Sequence, residues 1–502
     1  MNFMTVENEK KNGRRISLET LLRGLALEMP SGAPGIEISG LTDDSREVIP
    51  GDLFAAIPGY KTDGRKYISE ALSLGAVAVL TSPGIDLHSE IPIIITEDIR
   101  KNLAFIADRY FEEPSNKLTV AGITGTNGKT TTSYLLAGIF ESAGWSWGKI
   151  GTIGYDIGSR NISSGNTTPG IINIQRYLAE MIKSGFSGCA MEVSSHALEQ
   201  GRARGVRFSS ATFTNLSQDH LDYHNDMESY FESKARLFND IPLAVINIDD
   251  SYGVQLLKRA SGSVITFGTG DNADFGYSCD EMNICGSLLE FRYDGLKKDF
   301  RFPLPGIFNH QNVAAAAATA VGLGLSLDEA VDGLRIARAV PGRLQPIVMG
   351  QPFAVFIDYA HTPDALEKLL TSLREFKPKK LHVVFGCGGD RDRKKRPMMG
   401  RIASVLGDHV YLTSDNPRTE DPGIIIEDTL KGMVDRKKCQ VIEDRSMAIK
   451  TAISKISEGD VLVIAGKGHE DYQVVGTVKK YFSDIEVAES ELRKSGYGND
   501  GQ

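Results

Sequence analysis

Apolar runs and amphipathic stretches alternate along most of the chain. Residues 77–80, 93–96, 245–247, 355–358, 381–385, 410–413 and 461–465 read as short strands, and the segments between them carry apolar residues at helical spacing. That alternation predicts an α/β fold with parallel sheets, with ligands expected beyond the carboxyl ends of the strands. Residues 271–302 break the pattern. Their short alternating stretches and turns predict β-hairpins inserted in the middle of the chain.

The most specific strand-to-helix junction lies near residue 125. Residues 118–123 form a short buried strand and residues 131–142 a helix whose apolar face is Tyr134, Leu135, Leu136, Ile139 and Phe140. Between them runs Gly125-Thr126-Asn127-Gly128-Lys129-Thr130-Thr131. Such a loop ends at a helix N-terminus, where unpaired N–H groups and the positive end of the dipole favour phosphate oxygens. Lys129 then reaches the β- and γ-phosphates and Thr130 offers a hydroxyl to Mg²⁺. The strict phosphate-loop pattern fails at Ile123, so this is a variant with Gly125 and Gly128 as its close-approach residues.

Length and charge narrow the setting. A chain of 502 residues implies about three domains, and 41% hydrophobic content gives each a core. The breaks fall at residues 111–115 and at Pro341-Gly342-Arg343, giving domains 1–112, 113–341 and 342–502. Residues 1–15 are polar with no apolar segment behind them, and residues 313–325 are Ala-rich but too short to span a bilayer. The five cysteines include no C-x-x-C pair, so reduced thiols in the cytoplasm are expected. A net charge of -9 argues against a nucleic-acid partner. The basic run 391–396 is the exception, and by itself it reads as a solvated helix start.

Other segments offer chemistry with less specificity. Residues 188–196 form a buried strand delivering Glu192 and then a polar loop, where a Mg²⁺-holding carboxylate belongs beside a phosphate loop. Asp219-His220-Leu221-Asp222-Tyr223-His224 is compatible with zinc but lacks a further ligand set at zinc spacing. Asn309-His310-Gln311-Asn312 opens an Ala-rich helix and reads as an N-cap with a polar first turn. Three loops, 386–391, 414–418 and 466–470, follow three strands and share one rim if those strands are parallel.

Taken together, Gly125-Thr126-Asn127-Gly128-Lys129-Thr130-Thr131, Met191-Glu192-Val193-Ser194-Ser195-His196, Phe308-Asn309-His310-Gln311-Asn312 and Asp358-Tyr359-Ala360-His361-Thr362-Pro363 resemble the Mur ligase family, from about residue 41 to residue 470. The resemblance implies a UDP-binding N-terminal α/β domain, a central phosphate-loop ATPase domain with a parallel sheet and an added β region, and a Rossmann-like C-terminal domain. It implies a bacterial cytoplasmic monomer that activates a carboxylate with ATP as acyl phosphate and forms an amide with an incoming amine. Within the family the chain most resembles the members that add meso-2,6-diaminopimelate to the D-Glu γ-carboxyl of UDP-MurNAc-L-Ala-D-Glu. No nucleic acid and no membrane insertion are implied.

Site residues follow from the same resemblance. Gly125, Thr126, Asn127, Gly128, Lys129, Thr130, Thr131, Asn309, Arg343 and Asp358 match the nucleotide contacts. Thr130 and Glu192 match the ligands of one Mg²⁺, His220 matches a ligand of a second, and Lys234 matches the lysine carboxylated by CO₂, its carbamate being an oxygen ligand for Mg²⁺. Lys129, Glu192, His220 and Lys234 form the expected catalytic set. Ser45, Thr167, Thr168, Ser194, Gln200 and Arg202 match contacts to the UDP-MurNAc-dipeptide. Arg391, Asp415, Asn416, Pro417, Arg418, Gly466 and Glu470 match the amino-acid site, where two guanidinium groups and two carboxylates complement diaminopimelate. The Asp415-Asn416-Pro417-Arg418 run matches the diaminopimelate-type motif, which lysine-adding members change at its last position. A lysine-adding member, a folylpolyglutamate synthetase-like ligase and a phosphate-loop switch or motor protein are the alternatives.

Overall fold

A computed structural model describes residues 14–28, 33, 35–59, 62–84, 90–218, 223–224 and 226–498. The chain divides into two compact units, one of residues 1–122 and 145–209, the other of residues 123–144 and 210–502. This grouping cuts across the three segments drawn from the sequence, because residues 145–209 pack with the N-terminal region.

The first unit contains a four-stranded parallel sheet in the order Gly40–Thr42, Asp52–Ala56, Ala78–Thr81, Ile93–Ile95. Its core gathers Leu53, Ala55, Leu80, Ile94, Leu103 and Ile106, together with Ile171 and Ile172 of helix Ile171–Lys183. In the same unit Gly188–Glu192 pairs in parallel with Trp147–Ile150, which pairs antiparallel with Gly154–Asp156. The strands expected at 77–80 and 93–96 are present, each displaced by a residue or less at an end.

The second unit holds parallel strands Ser210–Phe213, Leu243–Asn247, Ser263–Gly268 and the start of Phe275–Asn283. The β-hairpins expected in 271–302 are strands Phe275–Asn283, Gly286–Tyr293 and Leu296–Phe302, paired antiparallel along that edge. The phosphate-loop helix Lys129–Ser142 begins two residues earlier than its apolar pattern indicates. It packs on the Ala-rich helix Ile307–Gly322 and on helix Leu327–Arg335. A Cβ on Gly333 would sit 2.7 Å from Ile139 Cα, so the backbones touch where a larger residue would push them apart. The sequence run Asn309–Asn312 is not the N-cap of its helix. That place is taken by Gly306, and the polar residues lie inside the first turns.

Within the same unit a six-stranded sheet runs Gln345–Ile347, Ala354–Asp358, Val461–Ala465, Leu381–Phe385, His409–Leu412, Cys439–Val441, with only the first strand antiparallel. Strands Leu381–Phe385, His409–Leu412 and Val461–Ala465 are therefore parallel, and the loops that follow them leave the sheet on one rim. Arg396 corrects the sequence reading of its segment. Instead of pointing into solvent it is 1% exposed, with its guanidinium on Glu420, Asp428 and the Gly388 carbonyl. A charge is tolerated there because two carboxylates neutralise it. Among the described residues no helix is long and apolar enough to cross a membrane.

Candidate functional site

The phosphate loop is shaped by glycines in conformations other residues avoid. Gly125 has φ 151° and Gly128 has φ 86°. Added Cβ atoms would meet Thr214 Oγ1 at 1.9 Å and Asn312 Oδ1 at 2.2 Å, respectively. The loop is fixed from outside. Thr126 N–H donates to the Asn215 carbonyl (2.8 Å), Asn127 N–H to Asn215 Oδ1 (3.0 Å), and Thr214 Oγ1 to the Asn127 carbonyl (2.7 Å). Asn127 Nδ2 and Ser217 Oγ both donate to Asp364 Oδ2, at 2.9 and 2.8 Å. The following helix has no side-chain hydrogen bond at its N-cap, and its N-terminus carries the positive end of the helix dipole.

Cations converge on this loop. Lys129 Nζ donates to the Gly125 and Thr126 carbonyls at 2.8 and 2.9 Å, and Lys234 Nζ donates to the Gly125 carbonyl at 2.8 Å. Lys234, on helix Met227–Ala235, is 1% exposed and so is no surface lysine. Arg343 donates to Thr130 Oγ1 at 3.3 Å and lies 4.5 Å from the Tyr359 ring centroid. Asp358 accepts from the N–H groups of Leu344 and Ala360 at 2.7 and 2.8 Å, and burial pushes its carboxyl above the usual range. It thereby holds Leu344 in a left-handed conformation, φ 41°, directly after Arg343. Asn309 is buried, with Nδ2 on the Pro305 carbonyl, and Thr131 is buried in the first helical turn.

Three further residues contribute that sequence reasoning left without a role. Asn312 backs Gly128, Asp364 ties Asn127, and Tyr230 joins Thr126 to Lys234. Tyr230 OH lies 3.2 Å from Thr126 Oγ1, and Lys234 Nζ lies 4.6 Å from its ring centroid. The i, i+4 spacing of Tyr230 and Lys234 was a legible signal for the last pair. His220 lies outside the described residues, as do Asp219, Leu221 and Asp222. The nearby His224 is buried and stacks on Tyr230 at 4.9 Å.

In the other unit the polar cluster is built around Glu192. This carboxylate has no exposed surface and accepts Thr152 N–H at 2.9 Å and Thr152 Oγ1 at 3.0 Å. Thr152 Oγ1 also lies 3.1 Å from Thr167 Oγ1. Thr168 Oγ1 donates to the Glu192 carbonyl (2.9 Å) and accepts Ser194 N–H (3.0 Å), while Arg202 donates to the Thr168 carbonyl. The segment after Glu192 is a short helix, Ser195–Glu199, capped by Ser194 and closed at Gln200, where a polar loop was expected. Ser45 sits on a separate 3₁₀ turn and donates to Glu70 at 2.7 Å.

The three rim loops are cross-linked. Gly389 N–H donates to the Asn416 carbonyl (2.9 Å), Arg418 Nη1 to the Gly389 carbonyl (2.8 Å), and Asn416 Nδ2 to Glu470 Oε2 (3.1 Å). A Cβ on Gly466 would lie 2.6 Å from Asp415 Oδ2, and one on Gly389 would lie 1.9 Å from the Pro417 carbonyl oxygen. Arg418 itself is left-handed, φ 53°, and held there by hairpin Tyr472–Val475/Val478–Tyr481 through Arg418 N–H to the Val474 carbonyl at 3.0 Å. Sequence reading did not foresee that hairpin. Asp415, Asn416, Pro417, Arg418, Gly466 and Glu470 are thus brought together, with Arg391 exposed at their edge.

Three family models match the chain: "Mur ligase family, catalytic domain" over residues 37–110, "Mur ligase middle domain" over 123–320 and "Mur ligase, glutamate ligase domain" over 342–468. Among relatives, the UDP-N-acetylmuramoyl-L-alanyl-D-glutamate--2,6-diaminopimelate ligase of Aquifex aeolicus is 45% identical over 92% of this chain and 94% of its own length. That of Clostridium botulinum is 41% identical over 91% and 96%. A solved structure of a ligase with that same name superposes with a TM-score of 0.70 at 34% identity, covering 96% of this chain and all of the other. A Mycobacterium tuberculosis folylpolyglutamate synthase complexed with ADP shares the fold alone, with a TM-score of 0.60 and 18% identity over 79% of this chain and 94% of its own.

The loop geometry yields a direct expectation. Gly125→Ala adds a methyl group at a φ costly to L residues and against Thr214, a strain of about 1–3 kcal/mol. ATP affinity measured by calorimetry should fall roughly ten- to hundredfold, with the unfolding midpoint lowered by a few degrees as the same strain destabilises the native state. Unaltered affinity would remove this loop from nucleotide binding.

Proposed function

The chain belongs to the Mur ligase family, and from that premise we propose that it is the ATP-dependent ligase that joins 2,6-diaminopimelate to the D-Glu γ-carboxyl of UDP-MurNAc-L-Ala-D-Glu. The observation that carries this reading is the pairing, within one unit, of a cation-lined phosphate loop with a rim presenting Asn416, Arg418 and Glu470. Diaminopimelate bears two carboxylates and two ammonium groups. Guanidinium donors match the carboxylates in planar, paired hydrogen bonds, and Glu470 and Asp415 match the ammonium charge.

Phosphoryl transfer to a carboxylate asks the protein for positioning and positive charge more than for a nucleophile. Lys129 leaves its loop carbonyls for phosphate oxygens, the uncapped helix N-terminus receives the same anion, and Arg343 adds a guanidinium beside Thr130. Asp358 fixes the turn that carries Arg343. The hydroxyl of Thr130 and the carboxylate of Glu192 are oxygen donors that would suit magnesium, a hard cation. They are the proposed ligands of one ion, and His220, a nitrogen donor, is the proposed ligand of a second. A carbamate on Lys234 would turn a buried ammonium into a further oxygen donor, and the ion would neutralise charge on the transferring phosphoryl group. Thr167, Thr168, Ser194, Gln200, Arg202 and Ser45 are assigned to the UDP-MurNAc-dipeptide, with Thr168 and Arg202 already bonded to one another. We place the reaction in the bacterial cytoplasm, carried out by a monomer, with domain limits at 112/113 and 341/342 that the family segments support.

The test is ADP release in the presence of UDP-MurNAc-L-Ala-D-Glu with either meso-diaminopimelate or L-lysine. Release that depends on diaminopimelate is expected; dependence on L-lysine alone, or turnover without any amino acid, rejects the reading.

Arg418→Ala should lower kcat/KM for diaminopimelate roughly ten- to hundredfold, the effect of losing about 1.5–3 kcal/mol of hydrogen bonding to a charged group, and leave the KM for ATP unchanged. L-lysine should not improve, because removing a carboxylate grip builds no pocket for an uncharged end. Equal kinetics in variant and wild type would detach Arg418 from the amino acid.

Lys234→Ala should be nearly inactive and regain part of its activity with added short carboxylates, which replace the missing oxygen ligand. Full activity in that variant, or a neutral-pH crystal structure with an unmodified amine, counts against the carbamate.

A further inference from the structure

A fully buried cation lies behind the rim loops. Lys467 has no exposed surface, and the glycines on either side of it have no space for a side chain: a Cβ on Gly466 would lie 2.6 Å from Asp415 Oδ2 and one on Gly468 2.8 Å from Tyr359 Cβ. Its Nζ donates to Glu470 Oε2 at 3.1 Å and to Asn416 Oδ1 at 3.4 Å, and stands 5.4 Å from the Tyr472 ring centroid. Asn416 Oδ1 accepts a second bond, from Val474 N–H at 2.9 Å, while Asn416 Nδ2 donates to Glu470 Oε2 at 3.1 Å.

This arrangement permits one orientation of the Asn416 amide. An amide NH₂ cannot accept from an ammonium or a backbone N–H, so the oxygen must face Lys467 and Val474 and the nitrogen must face Glu470. With its oxygen occupied, Asn416 can offer a ligand only its remaining N–H, a donor suited to a carboxylate. Glu470, which also faces the Tyr472 hydroxyl, stays an acceptor suited to an ammonium group, and its charge is balanced from behind by Lys467.

We propose that Lys467 is a positioning residue for the incoming amino acid, orienting Asn416 as a donor and holding Glu470 as an acceptor while never touching the ligand itself. The inference rests on the diaminopimelate reading above and adds to it the device that sorts carboxylate from ammonium at the rim.

The experiment compares wild type, Lys467→Met, Glu470→Gln and the double variant by steady-state kinetics with ATP, UDP-MurNAc-L-Ala-D-Glu and meso-diaminopimelate. Lys467→Met should raise the KM for diaminopimelate roughly ten- to hundredfold, as expected for a lost charge-assisted hydrogen bond, with the KM for ATP unchanged. Because Lys467 acts through Glu470, the two penalties should be less than additive in the double variant. An unchanged KM for diaminopimelate, a parallel rise in the KM for ATP, or strict additivity overturns the inference. Should Lys467→Met not fold, Lys467→Gln carries the same test, and failure of both to fold reduces Lys467 to a stability role. If the wild type itself releases no ADP with diaminopimelate, the functional reading falls; if it does and the variants match it, only the present inference falls.

Discussion

Two ammonium groups share one carbonyl oxygen: Lys129 Nζ and Lys234 Nζ both sit 2.8 Å from Gly125 O. Like charges brought this close in a water-poor site repel, and the carbonyl dipole offsets part of that. Such a loop is poised for an anion, and the two lysines answer the need in different ways. Lys129 heads a helix and can turn outward to a phosphate. Lys234 is enclosed by Tyr230 and the loop and stays beside the carbonyl. The glycine conformations, the Thr214 and Asn312 contacts and the tie to Asp364 all hold the carbonyl where both amines reach it.

Much of the scaffold was legible because it follows local rules. Strands Leu381–Phe385 and Val461–Ala465 coincide with their apolar runs, and the strand-loop-helix order around Gly125 follows from apolar periodicity and glycine placement. The chemistry of the loop was legible for the same reason, since its donors lie within one short run of sequence. Positions that act through distant partners were not. Asn312 and Asp364 reach the loop across 184 and 237 residues, counted from Gly128 and Asn127, and look like an ordinary helix turn and a helix N-terminus in sequence. Arg396 looked solvated because its neutralising partners, Glu420 and Asp428, lie two dozen or more residues on.

The rim loops illustrate why side-chain type alone underdetermines a binding site. Parallel strands bring the three loops to one edge, which a sequence pattern can forecast. What the pattern omits is the bonding between them: Gly389 to Asn416, Arg418 to Gly389, and the hairpin at 472–481 that grips Asn416 and Arg418. These bonds remove orientational freedom before any ligand arrives, so less entropy is lost on binding.

That rigidity has a local cost that the rest of the domain must offset. Arg418 and Asp390 both hold left-handed backbones, φ 53° and 54°, although neither is glycine. Each such residue raises the energy of the native state by on the order of 1 kcal/mol or more. The offset is visible next door. Asp390 accepts from Thr419 N–H and Oγ1, and its own N–H donates to Glu420, whose carboxyl is held down to about 2 chiefly by Arg396. Because that carboxyl titrates far below neutrality, the Arg396–Glu420 bonds persist across the physiological range and weaken only as pH falls toward the folded-state value. A buried ion pair is weak evidence for stability by itself. Here its geometry explains its presence: it anchors the turn that presents Arg391 and faces Arg418, where a hydrophobic pair of equal volume would supply packing but no acceptor for Asp390.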